Sequence, residues 1–133
     1  MDKKKKILVV DDEPDFVEVI KTRLEASGYE VITAPSGKEA LDKVASGNPD
    51  AVILDILMPG MDGLKVLKKI RSQNKNLPIF IISAFSTEER FKLARELDAS
   101  GFIIKTGDLG REIENITGAL RIADKYKGKE RGR

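Results

Sequence analysis

The chain has 133 residues, 41% hydrophobic and 35% charged, which is enough for one well-packed core and too short for two ordinary domains. It contains no cysteine and no histidine, which excludes disulfides, thiol catalysis, cysteine–zinc sites and imidazole chemistry, and leaves any phosphohistidine to a partner. The net charge of +2 is uneven: residues 1–6 carry four lysines against one aspartate, and residues 124–133 five cationic side chains against two acidic ones, so the body between them is acidic.

An acidic body argues against direct nucleic-acid binding. The basic ends, 1–4 and 124–133, read as flexible, solubilising termini around a domain at 5–123, with docking of the tail on an acidic partner as the sharper alternative. The apolar run 7–10 stops at Asp11, far short of the roughly 7–15 residues of a signal-peptide core, and no run of about 20 apolar residues could span a bilayer. The expectation is a cytoplasmic protein with no membrane contact.

Ile7, Leu8, Val9 and Val10 form a continuous β-branched and aliphatic run, the pattern of a strand covered on both faces. From Pro14 to Ala26 the apolar spacing changes to three and four, through Phe16, Val17, Ile20 and Leu24; this predicts a helix with Pro14 in its first turn and Gly28 beyond its end. A second strand is predicted at 29–33. Ser36 then caps a helix carrying Ala40, Leu41, Val44 and Ala45, with Glu39 in the capping-box position. The turn 47–50 leads to a third buried strand at 51–54, and a loop with Pro59 and Gly60 leads to a helix marked by Leu64, Val66, Leu67 and Ile70.

A fourth strand is predicted at 77–83. The helix after it has Thr87 as cap, Glu88 and Glu89 in its first turn, and Phe91, Leu93, Ala94 and Leu97 on its apolar side. A fifth strand at 101–104 precedes a helix with the stripe Leu109, Ile113, Ile116, Leu120 and Ala123. Five β–α units in succession imply right-handed crossovers and a doubly wound α/β sheet with helices on both faces. A flavodoxin-like strand order, 2-1-3-4-5, would put the ends of strands 1 and 3 at the switch point where ligands bind.

Polar residues stand at those ends: Asp11 and Asp12 after the first strand, Asp55 after the third, Ser83 at the fourth and Lys105 after the fifth. Singly, Asp12 could cap a helix, Asp55 could open an Asx turn, and Ser83 and Lys105 could be solvated. Together, carboxylates at one edge repel by roughly 4 kcal/mol per pair at about 4 Å and an effective dielectric near ~20. Such a cluster persists where cations answer it, most simply Mg²⁺ with oxygen ligands and Lys105 as a fixed positive charge. The arrangement suits phosphoryl transfer onto a carboxylate, and Asp55, on the middle strand, is the best-placed nucleophile.

Val10-Asp11-Asp12-Glu13-Pro14, the block from Leu54 and Asp55 through Leu57, Pro59 and Gly63, then Ile82-Ser83-Ala84 and Phe102-Ile103-Ile104-Lys105 closely resemble, in this order, the receiver domain of two-component response regulators. The resemblance covers about residues 5–123. It implies that Asp55 accepts a phosphoryl group from the phosphohistidine of a sensor kinase or a histidine phosphotransfer protein. Asp11, Asp12, Asp55 and the Leu57 backbone carbonyl would hold Mg²⁺, and Lys105 would pair with the phosphoryl oxygens. Ser83 would move toward the phosphate, Ala84 would leave it room and Phe102 would turn inward. The surface of helix 4, strand 5 and helix 5, including Phe91, Arg95, Ile103 and Arg111, would then change and regulate a partner, as a monomer or a phosphorylation-dependent homodimer.

The expected type is a stand-alone receiver, a phosphoacceptor rather than an enzyme beyond self-catalysed phosphotransfer and autodephosphorylation. Two alternatives are a constitutive, unphosphorylated interaction module and a small Mg²⁺-dependent phosphohydrolase; against the latter, Asp11-Asp12-Glu13 lacks two aspartates spaced two apart. Apolar Leu57 and Phe85, near the expected path of an attacking water, would slow hydrolysis or simply pack the loops. One departure from the family pattern is Thr106, where proline joined by a cis bond usually follows the lysine. A cis bond before a non-proline residue costs about 2.5–4 kcal/mol, so a trans bond and a more mobile strand 5–helix 5 connection, helped by Gly107 and Gly110, are expected.

Overall fold

Aliphatic side chains at successive positions make a strand apolar on both faces, and such a strand is stable only between two layers. In the computed structural model, which describes residues 4–58, 61–84 and 88–131 and omits the side chains of 57, 58, 61 and 124–131, three strands meet this condition. These are β1 (Lys6–Val10), β3 (Ala51–Asp55) and β4 (Ile79–Ser83), buried almost throughout. β2 (Glu30–Ala34) and β5 (Gly101–Ile104) flank them, giving one parallel sheet in the order 2-1-3-4-5. Leu8 stands between Ile32 and Val52, Asp55 beside Ile82, and Ser83 beside Ile104.

Alternation along the strands sorts the core into two clusters. Leu8, Val10, Val52, Leu54 and Ile81 face α2 (Gly37–Gly47), α3 (Gly63–Gln73) and α4 (Glu88–Glu96). Ile7, Val9, Ile53, Ile82 and Ile103 face Ile20 and Leu24 of α1 (Pro14–Ala26) and Ile116 and Leu120 of α5 (Leu109–Arg131). Among the described residues, no helix is long and apolar enough to cross a membrane.

The expected helix signals hold in part. Ser36 Oγ accepts the Glu39 N–H at 3.3 Å, and Gly28, at φ 97°, lets the chain turn so that Tyr29 N–H reaches the Leu24 carbonyl. Asp12 does not cap α1: the cap position is Glu13, without a side-chain bond, and Asp11 Oδ1 accepts the Glu13 N–H at 3.0 Å. Asp62 caps α3 through Leu64 N–H at 2.9 Å, a cap that periodicity did not mark. Thr87 lies outside the described residues.

Boundaries shift where hydrogen bonding overrules pattern. β4 starts at Ile79 rather than 77, because Pro78 has no N–H for the ladder, although its carbonyl accepts from Val52. β2 starts one residue later than expected, and the backbone of α5 continues past 123 to Arg131. Leu93, expected on the apolar side of α4, is exposed; Ala94 is the buried residue of that helix.

Candidate functional site at the strand ends

Asp11 directly follows β1 and Asp55 ends β3; both are buried, 2% and 3% exposed, while Asp12 is more open to solvent. Their oxygens lie within 4.8 Å of one another. The close start of α3 shapes this edge. Gly63 donates its N–H to the Ile56 carbonyl at 3.1 Å, and a Cβ at that position would press on Ile56 Cα and the Asp55 carbonyl oxygen. Just beyond Asp55, Leu57–Met58 pairs antiparallel with Met61–Asp62, which places the Leu57 backbone next to the acidic cluster in sequence.

Lys105 extends the β4–β5 ladder, its N–H donating to the Ser83 carbonyl at 2.8 Å. Its Nζ donates to Asp11 Oδ2 at 2.7 Å, Glu13 Oε1 at 3.1 Å and Asp55 Oδ2 at 3.5 Å, and sits 4.2 Å from the centre of the Phe16 ring. Burial acts to lower the Lys105 pKa. The hydrogen bond and charge of Asp11, with the charge of Asp55 and the Glu13 hydrogen bond, outweigh it and hold the ammonium well above the usual lysine range.

One ammonium thus pairs with three carboxylates, those of Asp11, Glu13 and Asp55, and Asp12 adds a fourth acid beside Asp11 and Asp55. The excess negative charge and the all-oxygen donor set fit a hard divalent cation and no soft one. Ser83 is fully buried at the end of β4, with exposed Ala84 after it. Phe102, half-buried on β5, meets Phe91 of α4 with ring centroids 4.0 Å apart and planes tilted by 37°.

Asp11, Asp12, Asp55 and Lys105 therefore converge as the sequence predicts, with Ser83 on the adjacent strand end. Ile103 does not belong to the exposed β5 surface: it is 7% exposed and packs toward α1 and α5, and Ile104, at 41%, is the residue that faces out. The alternation of side chains along a strand makes the two positions exclusive. Phe85 and the Leu57 side chain lie outside the described residues. The Lys105–Thr106 bond is trans. Two contacts of the Lys105 ammonium escaped sequence reasoning: Glu13 and Phe16. Glu13 and Phe16 flank Pro14 at the start of α1, and the Lys105 side chain reaches them from the end of β5.

The parallel order 2-1-3-4-5, with carboxylates and a lysine at the switch point, defines a flavodoxin-like α/β domain with an acidic, cation-demanding site. The model of the response regulator receiver domain matches residues 7–117, and the chain belongs to that family. The alkaline phosphatase synthesis transcriptional regulatory protein PhoP of Bacillus subtilis is 44% identical over 101 residues, covering 76% of this chain and 42% of that protein. The CheY-like receiver domain protein of Methanospirillum hungatei superposes with a TM-score of 0.84 at 26% identity, over 93% of this chain and 99% of that one. The response regulator TrrA of Thermotoga maritima, solved with Mg²⁺ and BeF, is 42% identical with a TM-score of 0.75, over 86% and 98% of the two chains. The chain spans about half the length of the curated relatives it matches.

Proposed function

We propose that the chain is a phosphorylation-dependent signalling switch that accepts a phosphoryl group on Asp55 from the phosphohistidine of a sensor kinase or histidine phosphotransfer protein. The observation that carries this reading is the buried Asp55 carboxylate on the middle strand, gathered within 4.8 Å of Asp11 and Asp12 oxygens and 3.5 Å from Lys105 Nζ. An Asp55 oxygen attacks phosphorus as the P–N bond breaks; the electron pair stays on the imidazole nitrogen and an acyl phosphate forms. Burial keeps competing water from the carboxylate, and Lys105 supplies positive charge to a phosphoryl oxygen. Glu13, the most exposed of its three carboxylate partners, is the one it gives up most readily.

Asp11, Asp12, Asp55 and the Leu57 carbonyl are the groups that would hold Mg²⁺, which neutralises phosphoryl oxygens when bound. The Mg²⁺–BeF complex of the relative TrrA supports this assignment. On phosphorylation the Ser83 hydroxyl moves toward the new oxygens, Ala84 leaves room for them, and Phe102 turns into the vacated space, leaving Phe91. That motion reshapes the surface of α4, β5 and α5, with Phe91, Arg95, Ile104 and Arg111, which binds a downstream protein in the cytoplasm. Incubation with Mg²⁺ and acetyl phosphate tests the acceptor: wild type gains one phosphoryl mass and Asp55→Asn gains none. A folded wild type that takes neither phosphoryl nor beryllofluoride would instead be a constitutive interaction module.

A further inference from the structure

Glu112, in the first turn of α5, is a buried carboxylate, 4% exposed, that the phosphoryl chemistry above leaves unassigned. A carboxylate is costly to bury unless it is hydrogen-bonded. Its Oε1 accepts the N–H of Thr106 at 2.7 Å and of Gly107 at 3.3 Å, the residues that directly follow Lys105. Gly107 has φ 89°, a left-handed conformation suited to glycine, and the turn aims two successive N–H groups at one oxygen. Initiation of α5 does not require this acid. Exposed Asp108 already accepts the Arg111 N–H on Oδ1 at 3.2 Å, and its carbonyl accepts the Glu112 N–H at 3.0 Å. The Thr106 bond also depends on the residue type, since proline in that place has no N–H to give.

We propose that Glu112 is a positioning residue for Lys105. The lysine is fixed on one side by its own N–H on the Ser83 carbonyl, and on the other by Glu112 holding the next two N–H groups. The main chain at Lys105 therefore has one direction, and Nζ reaches Asp11 and Asp55 from it. The expected looseness of the connection after Lys105 is opposed by these bonds, with Asp108 N–H on Thr106 Oγ1 at 3.3 Å adding a third.

The inference rests on the proposed role of Asp55 and Lys105, so wild type must first form the phosphoryl adduct; failure there overturns both claims. The test compares rates of adduct formation from acetyl phosphate at saturating Mg²⁺, by intact mass, in folded variants. Glu112→Gln keeps an acceptor oxygen and stays within about threefold of wild type; Glu112→Leu, which has none, slows by about 10- to 100-fold, as expected when a reacting group is misplaced by about 1 Å. If the leucine variant does not fold, Glu112→Asp, shorter by one methylene, takes its place with an expected loss of about tenfold. The decisive arm uses Lys105→Met. In that background the Glu112 substitution has no further effect if Glu112 acts through Lys105. A loss equal in both backgrounds, or no loss in either, overturns the proposal.

Discussion

Lys105 is the residue on which the site balances. Its positive charge holds together carboxylates that would otherwise repel, and breaking such a set leaves charge uncompensated in a largely dry place. Lys105→Met should therefore cost about 2 kcal/mol of stability without Mg²⁺, less than a fully buried pair because Asp12 and Glu13 open the cluster to water. The pH dependence follows from the raised pKa. A group whose pKa is higher when folded stabilises fully below its unfolded value, about 10.4, and loses that contribution as pH rises through the folded value. The difference between wild type and variant in urea denaturation should be level from about pH 6 to 9 and shrink only above about pH 10.4; a difference that disappears by about pH 8 would sink the assignment. The strand-end residues were legible because each is a polar residue ending an apolar run. Glu112 was not: it looks like an ordinary first-turn acid until the fold shows its oxygen on Thr106 and Gly107.

Two element contacts tie the site to its surroundings. At the first, α3 begins against the end of β3, where only a glycine leaves space beside the Asp55 carbonyl. Gly63→Ala must displace backbone rather than a flexible side chain, so it should destabilise by about 1–3 kcal/mol and be seen as a lowered melting temperature. An unchanged melt would show that the junction yields freely. At the second, Phe102 of β5 rests on Phe91 of α4. If phosphorylation turns Phe102 away, this contact belongs to the resting state alone, and Phe91→Ala removes about 1 kcal/mol from that state. Beryllofluoride should then bind about fivefold tighter in the variant, measured by titration with Mg²⁺; weaker or equal binding would place the Phe102 motion outside the switch. The elements themselves were readable from spacing three and four against continuous apolar runs. Their ends were less so, since Pro78 decides where β4 starts and burial of Ala94 leaves Leu93 in solvent.

For the whole molecule, alternation of five strands and five helices was enough to give the layers, and the edge-gathered polar residues gave the position of the site. The strand order became certain only from the pairing itself: order depends on contacts between distant segments, whereas periodicity reports only local burial. The outward surface was legible only roughly, because one residue of register on β5 decides between buried Ile103 and exposed Ile104. In the proposed mechanism these scales join: charge added at the end of the middle strand would move Ser83 and Phe102 and alter the face presented by α4, β5 and α5. The central claim is that Asp55 is where this charge arrives. Intact-protein mass after incubation with Mg²⁺ and acetyl phosphate tests it most directly, with Asp55→Asn alongside. The account predicts a single phosphoryl adduct on wild type, absent from the variant; an adduct that persists in the variant, or a folded wild type that acquires none, would contradict it.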